Sequence, residues 1–310
     1  MFSILTIVLP IFALIFAGWL ARRLGVLGPQ ATREISKFVI WLALPALLFD
    51  IVASAHWTEI WQPGFIAAFG LGCLLVFAVT LLIRLWARGL ADAAIDGLNA
   101  GYANTGFIGF PLALAAIGRP ALAPTLISTI ITVCGVFAVA IVLIEIGIGT
   151  ERRPAHMALK VGRSLLKNPL LVAPLLGALA PLTGQAVPAS AETFLKLLGG
   201  AASPCALVAL GLFLAEKRDT AARVGGAMAL LVAFKLLLQP GLTWVLAALV
   251  FRLPPLLTHT AVLLAALPTG TGPFMLAELY RREADVTSNV ILVSTVLSLL
   301  TVTGYLLLSG

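Results

Sequence analysis

The chain has 310 residues, of which 61% are hydrophobic and 11% charged, and its mean hydropathy is +1.09. A soluble domain carries about 25% charged residues, and a β-barrel reads as short alternating segments, so neither class fits. The net charge of +7 falls in short clusters between apolar runs, as membrane topology signals do, which argues against a nucleic-acid surface.

Runs of about 20 apolar residues, the length a bilayer demands of a spanning helix, recur along the chain. They predict an all-α polytopic membrane protein. The first five spans are expected near 3–21, 34–54, 64–86, 94–117 and 122–148. The second five are expected near 168–184, 192–215, 222–250, 258–280 and 286–308. The opening stretch has no basic segment before its apolar run, so it reads as a span and not as a cleaved signal peptide. Cys73, Cys134 and Cys205 lie inside apolar runs without metal-type spacing and read as small buried hydrophobes. The basic stretch 150–167 separates two five-span halves, 1–149 and 168–310, either as a solvated linker or as a helix on the cytoplasmic leaflet.

Charge sets the expected orientation. With the N-terminus outside, 16 of the 20 basic residues fall in the cytoplasm, against Arg119, Lys196 and Arg252 outside and Lys235 within a span. Both termini are therefore expected on the non-cytoplasmic side of a cell inner membrane.

Two similar halves of five spans must insert in opposite orientations. The stretch 126–132 (LISTIIT) matches 292–298 (LVSTVLS) at an offset of 166. Thr105-Gly106 matches Thr269-Gly270 and Pro10 matches Pro174, both at 164, and Pro45 matches Pro204 at 159. Four matches in one order at nearly constant offset predict a 5+5 inverted repeat.

The fourth and ninth spans are poor continuous helices. The fourth contains Asn99, Asn104, Thr105, Gly106, Gly109 and Pro111; the ninth contains Pro268, Thr269, Gly270, Thr271, Gly272 and Pro273. Proline removes an N–H and clashes with the preceding turn, and each glycine costs about 1 kcal/mol of helix propensity. Breaks at corresponding places in both halves point to a transporter's binding site. Each break exposes free N–H groups carrying partial positive charge, which favours a carboxylate or similar anion. The expected substrate-binding residues are Asn104, Thr105, Gly106, Pro111, Pro268, Thr269, Gly270, Thr271 and Pro273. The bland alternative is that these residues only kink and pack helices.

The pattern Leu267-Pro268-x-Gly270-x-x-Pro273-Phe274-x-x-Ala277-x-x-Tyr280 resembles the ninth helix of the auxin efflux carrier family, which includes plant PIN carriers and bacterial malonate-type carriers. Asn104-Thr105-Gly106-Phe107-x-Gly109-x-Pro111 is similar to its fourth-helix crossover. The segment 42–49 (LALPALLF) and Lys235-Leu236-x-x-x-Pro240 also resemble family signatures. The resemblance covers the whole chain, without the long central loop of the larger plant members. It implies a fold related to the bile-acid sodium symporters, a scaffold of spans 1, 2, 6 and 7, and an elevator domain from the remaining spans. It also implies a homodimer through the scaffold and contact between Asn104 and the substrate carboxylate.

Two ionisable residues have open roles. Lys235 either stabilises an anion, holds the place of a coupling cation in related symporters, or snorkels or pairs with backbone carbonyls. Asp50 is a proton-coupling candidate or an ordinary interfacial carboxylate, and Glu145 and Glu278 read as interfacial. His56, His156 and His259 are expected in separate loops, so no metal site is expected. Ser128, Thr129, Thr132, Ser294, Thr295 and Ser298 either line the cavity, satisfy freed carbonyls, or back-bond to their own helix.

The expected function is secondary transport of a small organic anion by alternating access, without cofactor, metal or nucleic acid. A sodium-coupled symporter and an anion channel are the alternatives. No Walker-type loop, HExxH or paired intramembrane aspartates suggest ATP hydrolysis or another enzyme. No carboxylate is seen beside Asn104 or Pro268, so proton or membrane-potential coupling is preferred to sodium.

Overall fold

The computed structural model describes residues 2–54, 61–149, 166–184, 187–215 and 225–309. His56, His156 and most of the predicted linker 150–167 lie outside the described residues.

The described residues are almost all helical. In chain order the helices are α1 (Phe2–Arg23), α2 (Ala31–Ala53), α3 (Pro63–Arg88), α4 (Leu90–Gly101), α5 (105–116) and α6 (Arg119–Ile148). They continue with α7 (Pro169–Thr183), α8 (Ala189–Leu214), α9 (Gly225–Val250), α10 (Pro255–Ala265), α11 (Gly272–Tyr280) and α12 (Ala284–Ser309). Six of these, α2, α3, α6, α8, α9 and α12, are long and apolar enough to cross a membrane, and α7 and α10 are shorter apolar helices. Exposed Leu82, Ile83, Leu249, Val250 and Leu300 cover outer faces. Such apolar surface suits lipid better than water. The chain is a multi-pass membrane protein.

The proline-rich helices survive by widening. Among the described residues five turns are π-helical, and three of them, Val39–Ala43, Thr105–Gly109 and Phe234–Leu238, stand just before Pro45, Pro111 and Pro240. Proline removes one N–H and clashes with the carbonyl four residues back. Bonding five residues back relieves that crowding. Leu44 N–H donates to Val39 O, Gln239 N–H to Phe234 O and Gly109 N–H to Asn104 O, each with this longer spacing.

Packing divides the helices into two sets. In one, α1 packs along the second half of α8, while α2 packs on α7 and α8. Close approach requires missing side chains: a Cβ at Gly18 would overlap the Val208 carbonyl, and one at Gly211 the Ile15 carbonyl. Small residues at membrane helix interfaces serve this purpose. In the other set α3 packs on α4, α4 on α6, and α9 on α3, α10 and α12. The helix α11 touches both sets, packing on α12 and on the first part of α2.

Candidate functional site: the crossover of two broken helices

Both predicted breaks are present, and they meet. The chain unwinds between α4 and α5, and again between α10 and α11. Ala103 and Thr269 form an isolated antiparallel β-bridge. Asn104 N–H donates to Pro268 O at 2.9 Å, and Gly270 N–H to Tyr102 O at 3.1 Å. Unpaired backbone at membrane depth is costly; here each break satisfies the other. Asn104 itself has φ −78° and ψ 56°, an inverse γ-turn, and Thr105 N–H closes it on Ala103 O at 2.8 Å.

Side chains brace the bridge from behind. Thr269 Oγ1 donates to Asn99 O at 2.7 Å, and Thr269 N–H donates to Ser294 Oγ at 3.2 Å. Asn99 Nδ2 donates to Thr287 Oγ1 at 2.9 Å, so α4, α12 and the break between α10 and α11 form one polar knot.

A cavity of about 310 Å³ lies against the crossover. Tyr102, Asn104, Gly106, Phe110, Thr129, Thr271 and Gly272 form one wall; Leu44, Leu47, Leu48, Ile51, Gly199, Gly200 and Pro204 form the other. The first wall comes from the crossover and α6, the second from α2 and α8. Among the described residues no Asp, Glu, Lys, Arg or His lines it. Asn104 is partly exposed there, and its side-chain amide makes no hydrogen bond to any described residue.

The predicted site residues thus separate by role. Asn104, Gly106, Thr129 and Thr271 face the cavity. Thr105, Pro268, Thr269, Gly270 and Pro273 are buried within the protein and build the crossover. Pro111 opens the helical part of α5. The hydroxyls mostly back-bond: Thr129 to Thr125 O, Thr132 to Ser128 O, Thr295 to Ile291 O and Ser298 to Thr295 O. Ser294 differs in also taking the Thr269 N–H, while Ser128 Oγ is buried without a hydrogen-bond partner. Asp50 lies outside the cavity, with Ser54 Oγ 3.5 Å from its Oδ1. His259 sits on α10 and not in a loop, with Nδ1 3.0 Å from the Tyr305 hydroxyl. Among the described residues no cluster of His, Cys, Asp and Glu could hold a metal ion.

Lys235 bonds a backbone carbonyl. It is fully buried, so it does not snorkel, and it lies away from the cavity. Its Nζ donates to Ala265 O at 2.7 Å and to Gln239 Oε1 at 2.5 Å. Gln239 Nε2 in turn donates to Gly101 O at 3.1 Å and faces Cys73 Sγ at 3.2 Å. Ala265 and Gly101 end α10 and α4, the two half-helices that run into the crossover. Their C-terminal carbonyls carry partial negative charge, about −0.5 per helix end. One ammonium and one amide on α9 occupy both ends. The opposite, electropositive starts of α5 and α11 border the cavity through Gly106 and Gly272. Together the two starts direct roughly one positive charge towards the cavity.

Asp96 was not among the sequence candidates. It lies on α4 about one and a half turns before the break, fully buried, with Oδ2 accepting from Arg84 Nε at 2.7 Å. The ion pairs Arg88–Glu283 and Arg282–Asp92 lie at the same end of the molecule. Its burial has no local sequence signal, since the arginine that covers it is twelve positions earlier on another helix.

Comparison with known proteins decides the family. The sequence pattern of the family described as "Membrane transport protein" matches residues 3–306. The chain belongs to this family, that of the auxin efflux carriers. A protein of Rhizobium meliloti (strain 1021) named "Putative malonate transporter" is 33% identical over all of this chain and 98% of its own length. Auxin efflux carrier component 8 of Arabidopsis thaliana is 23% identical, with 98% of this chain and 96% of that protein covered. An "Uncharacterized transporter" of Methanothermobacter thermautotrophicus is 29% identical over 94% of both. This family member is a membrane transport protein.

Its crossover has little room for added atoms. A Cβ at Gly272 would lie 2.6 Å from Tyr102 Cζ and 2.7 Å from its hydroxyl oxygen. Gly272→Ala is therefore expected to lower stability by about 1–3 kcal/mol, as overpacking does, and to impair transport. Thermal unfolding and uptake measure both, and Tyr102→Leu in the same chain should restore part of each.

Proposed function

We propose that this transporter is a secondary carrier for a small organic anion, a carboxylate such as malonate, malate or an auxin-like acid. The observation that carries the reading is the cavity at the crossover: uncharged, furnished with an unpaired asparagine amide, and bordered by two half-helix starts. A site without basic side chains can hold an anion through fixed dipoles and release it again, since no permanent ion pair must break.

In this reading the chain crosses the inner membrane ten times, in two inverted halves of 1–149 and 168–310, with both termini outside. The set α1, α2, α7 and α8 is the scaffold and carries a homodimer interface, and the remaining helices move as an elevator domain. The cavity wall supports this division, since one side comes from the scaffold set and the other from the crossover and α6. Carriage of the substrate then exchanges the scaffold wall while the crossover wall travels with the anion. A channel would instead need a continuous path past the paired breaks.

The sodium-coupled alternative is disfavoured by Lys235. Of the carbonyl ends that a coupling cation would bridge, Ala265 O already takes its ammonium and Gly101 O the Gln239 amide. Purified protein in liposomes is expected to take up its carboxylate at full rate in sodium-free buffer, with pH and potential clamped separately. Strict sodium dependence would contradict this reading.

A further inference from the structure

Two side-chain oxygens on α4 have no hydrogen-bond donor. Asp96 Oδ1 and Asn99 Oδ1 are both buried and unpartnered, and both residues are fully buried on α4. They stand three positions apart, one helical turn, where side chains are neighbours on one face. Each has its other atom committed: Asp96 Oδ2 to Arg84 Nε, and Asn99 Nδ2 to Thr287 Oγ1. A buried acceptor without a donor is destabilising. One hydrogen placed between them removes both deficits.

We propose that Asp96 and Asn99 form a proton site. The proton sits on Asp96 Oδ1 as a carboxylic O–H and donates to Asn99 Oδ1; on release that O–H bond breaks and the proton passes to water. The proposal rests on the carrier reading and gives it a coupling ion. Asn99 ties the site to the substrate cavity. Its carbonyl accepts the Thr269 hydroxyl at the bridge, and its amide holds Thr287 on α12. Loss of the proton restores a bare carboxylate oxygen beside Asn99 and loosens that knot. The way out runs beside Arg84 and Arg88, whose side chains keep 15% and 30% of their surface, towards Glu283 at the edge of a larger open cavity.

The charged surroundings are accounted for from each neighbouring helix. On α3, Arg84 binds Asp96 and Arg88 binds Glu283. On α4 itself Asp92 binds Arg282; on α6 Glu145 accepts from the Tyr280 hydroxyl of α11. Glu278 of α11 and Asp285 of α12 are engaged in interactions of their own. Lys235 on α9 is held at Ala265 and Gln239. Arg84 Nε donates to Asp96 Oδ2, so Oδ1 is the atom left to carry the proton.

Infrared difference spectra of the purified transporter test this without any substrate. Wild type at neutral pH is expected to show a protonated-carboxyl stretch that disappears in Asp96→Asn and shifts in Asn99→Ala. Asp96→Asn keeps an acceptor for Arg84 and offers an N–H to Asn99, so it imitates the protonated state. In liposomes it should carry substrate but lose its acceleration by a proton gradient, the stimulation falling to about onefold. A missing band, or one unchanged in Asp96→Asn, overturns the proposal and leaves a bound water or cation between the two oxygens. Uptake that keeps its gradient response in the variant overturns it equally. If no carboxylate is carried at all, the carrier reading fails while the infrared band still reports on Asp96. Should Asp96→Asn not assemble, loss of the wild-type band at raised pH, with its shift in Asn99→Ala, decides the matter.

Discussion

Asn104→Ala is expected to weaken carboxylate binding by about tenfold to a hundredfold. A hydrogen bond to a charged group contributes about 1.5–3 kcal/mol, and each 1.4 kcal/mol is a factor of ten. The fold should be untouched, because the Asn104 side chain bonds to no described residue while its backbone N–H, which the variant keeps, makes the bond to Pro268. Titration calorimetry on purified wild type and variant measures the difference. An unchanged affinity would remove Asn104 from the site, and a loss of the folded protein would assign it a structural role.

Gln239→Leu should have the largest effect on stability. Among the described residues it leaves the Lys235 ammonium with Ala265 O alone, and it leaves Gly101 O without the Gln239 amide. Stranding a buried charge costs about 3 kcal/mol or more. Lys235→Met removes the charge together with its desolvation cost and should be milder. The double variant Lys235→Met with Gln239→Leu should then be more stable than Gln239→Leu alone, a non-additivity expected of groups in one network. Equal unfolding temperatures for wild type and Gln239→Leu would show that the clamp contributes nothing.

The two breaks were legible because proline and glycine act locally: Pro111, Pro268 and Pro273 disfavour a continuous helix wherever the chain lies. The β-bridge between Ala103 and Thr269 was not legible, since pairing across 166 positions is tertiary. The sorting of the threonines followed the same division. Thr269 and Thr129 look alike in sequence, yet one bonds α4, 170 positions away, and the other its own helix. Lys235 was visible as a lone charge in an apolar run, but its partner carbonyl at Ala265 is thirty positions away. Asp96 escaped notice for a related reason. It stands near the start of an apolar span, where carboxylates are ordinary, and only the packing of α3 against α4 turns that place into an interior.

The direct test of the crossover as an anion site is the thermal unfolding of purified transporter against small mono- and dicarboxylates and their methyl esters. A ligand that binds the folded state raises its unfolding temperature. Stabilisation by at least one carboxylate, lost in its ester and in Asn104→Ala, is the predicted result. Equal stabilisation by acid and ester, or an undiminished shift in Asn104→Ala, would contradict it.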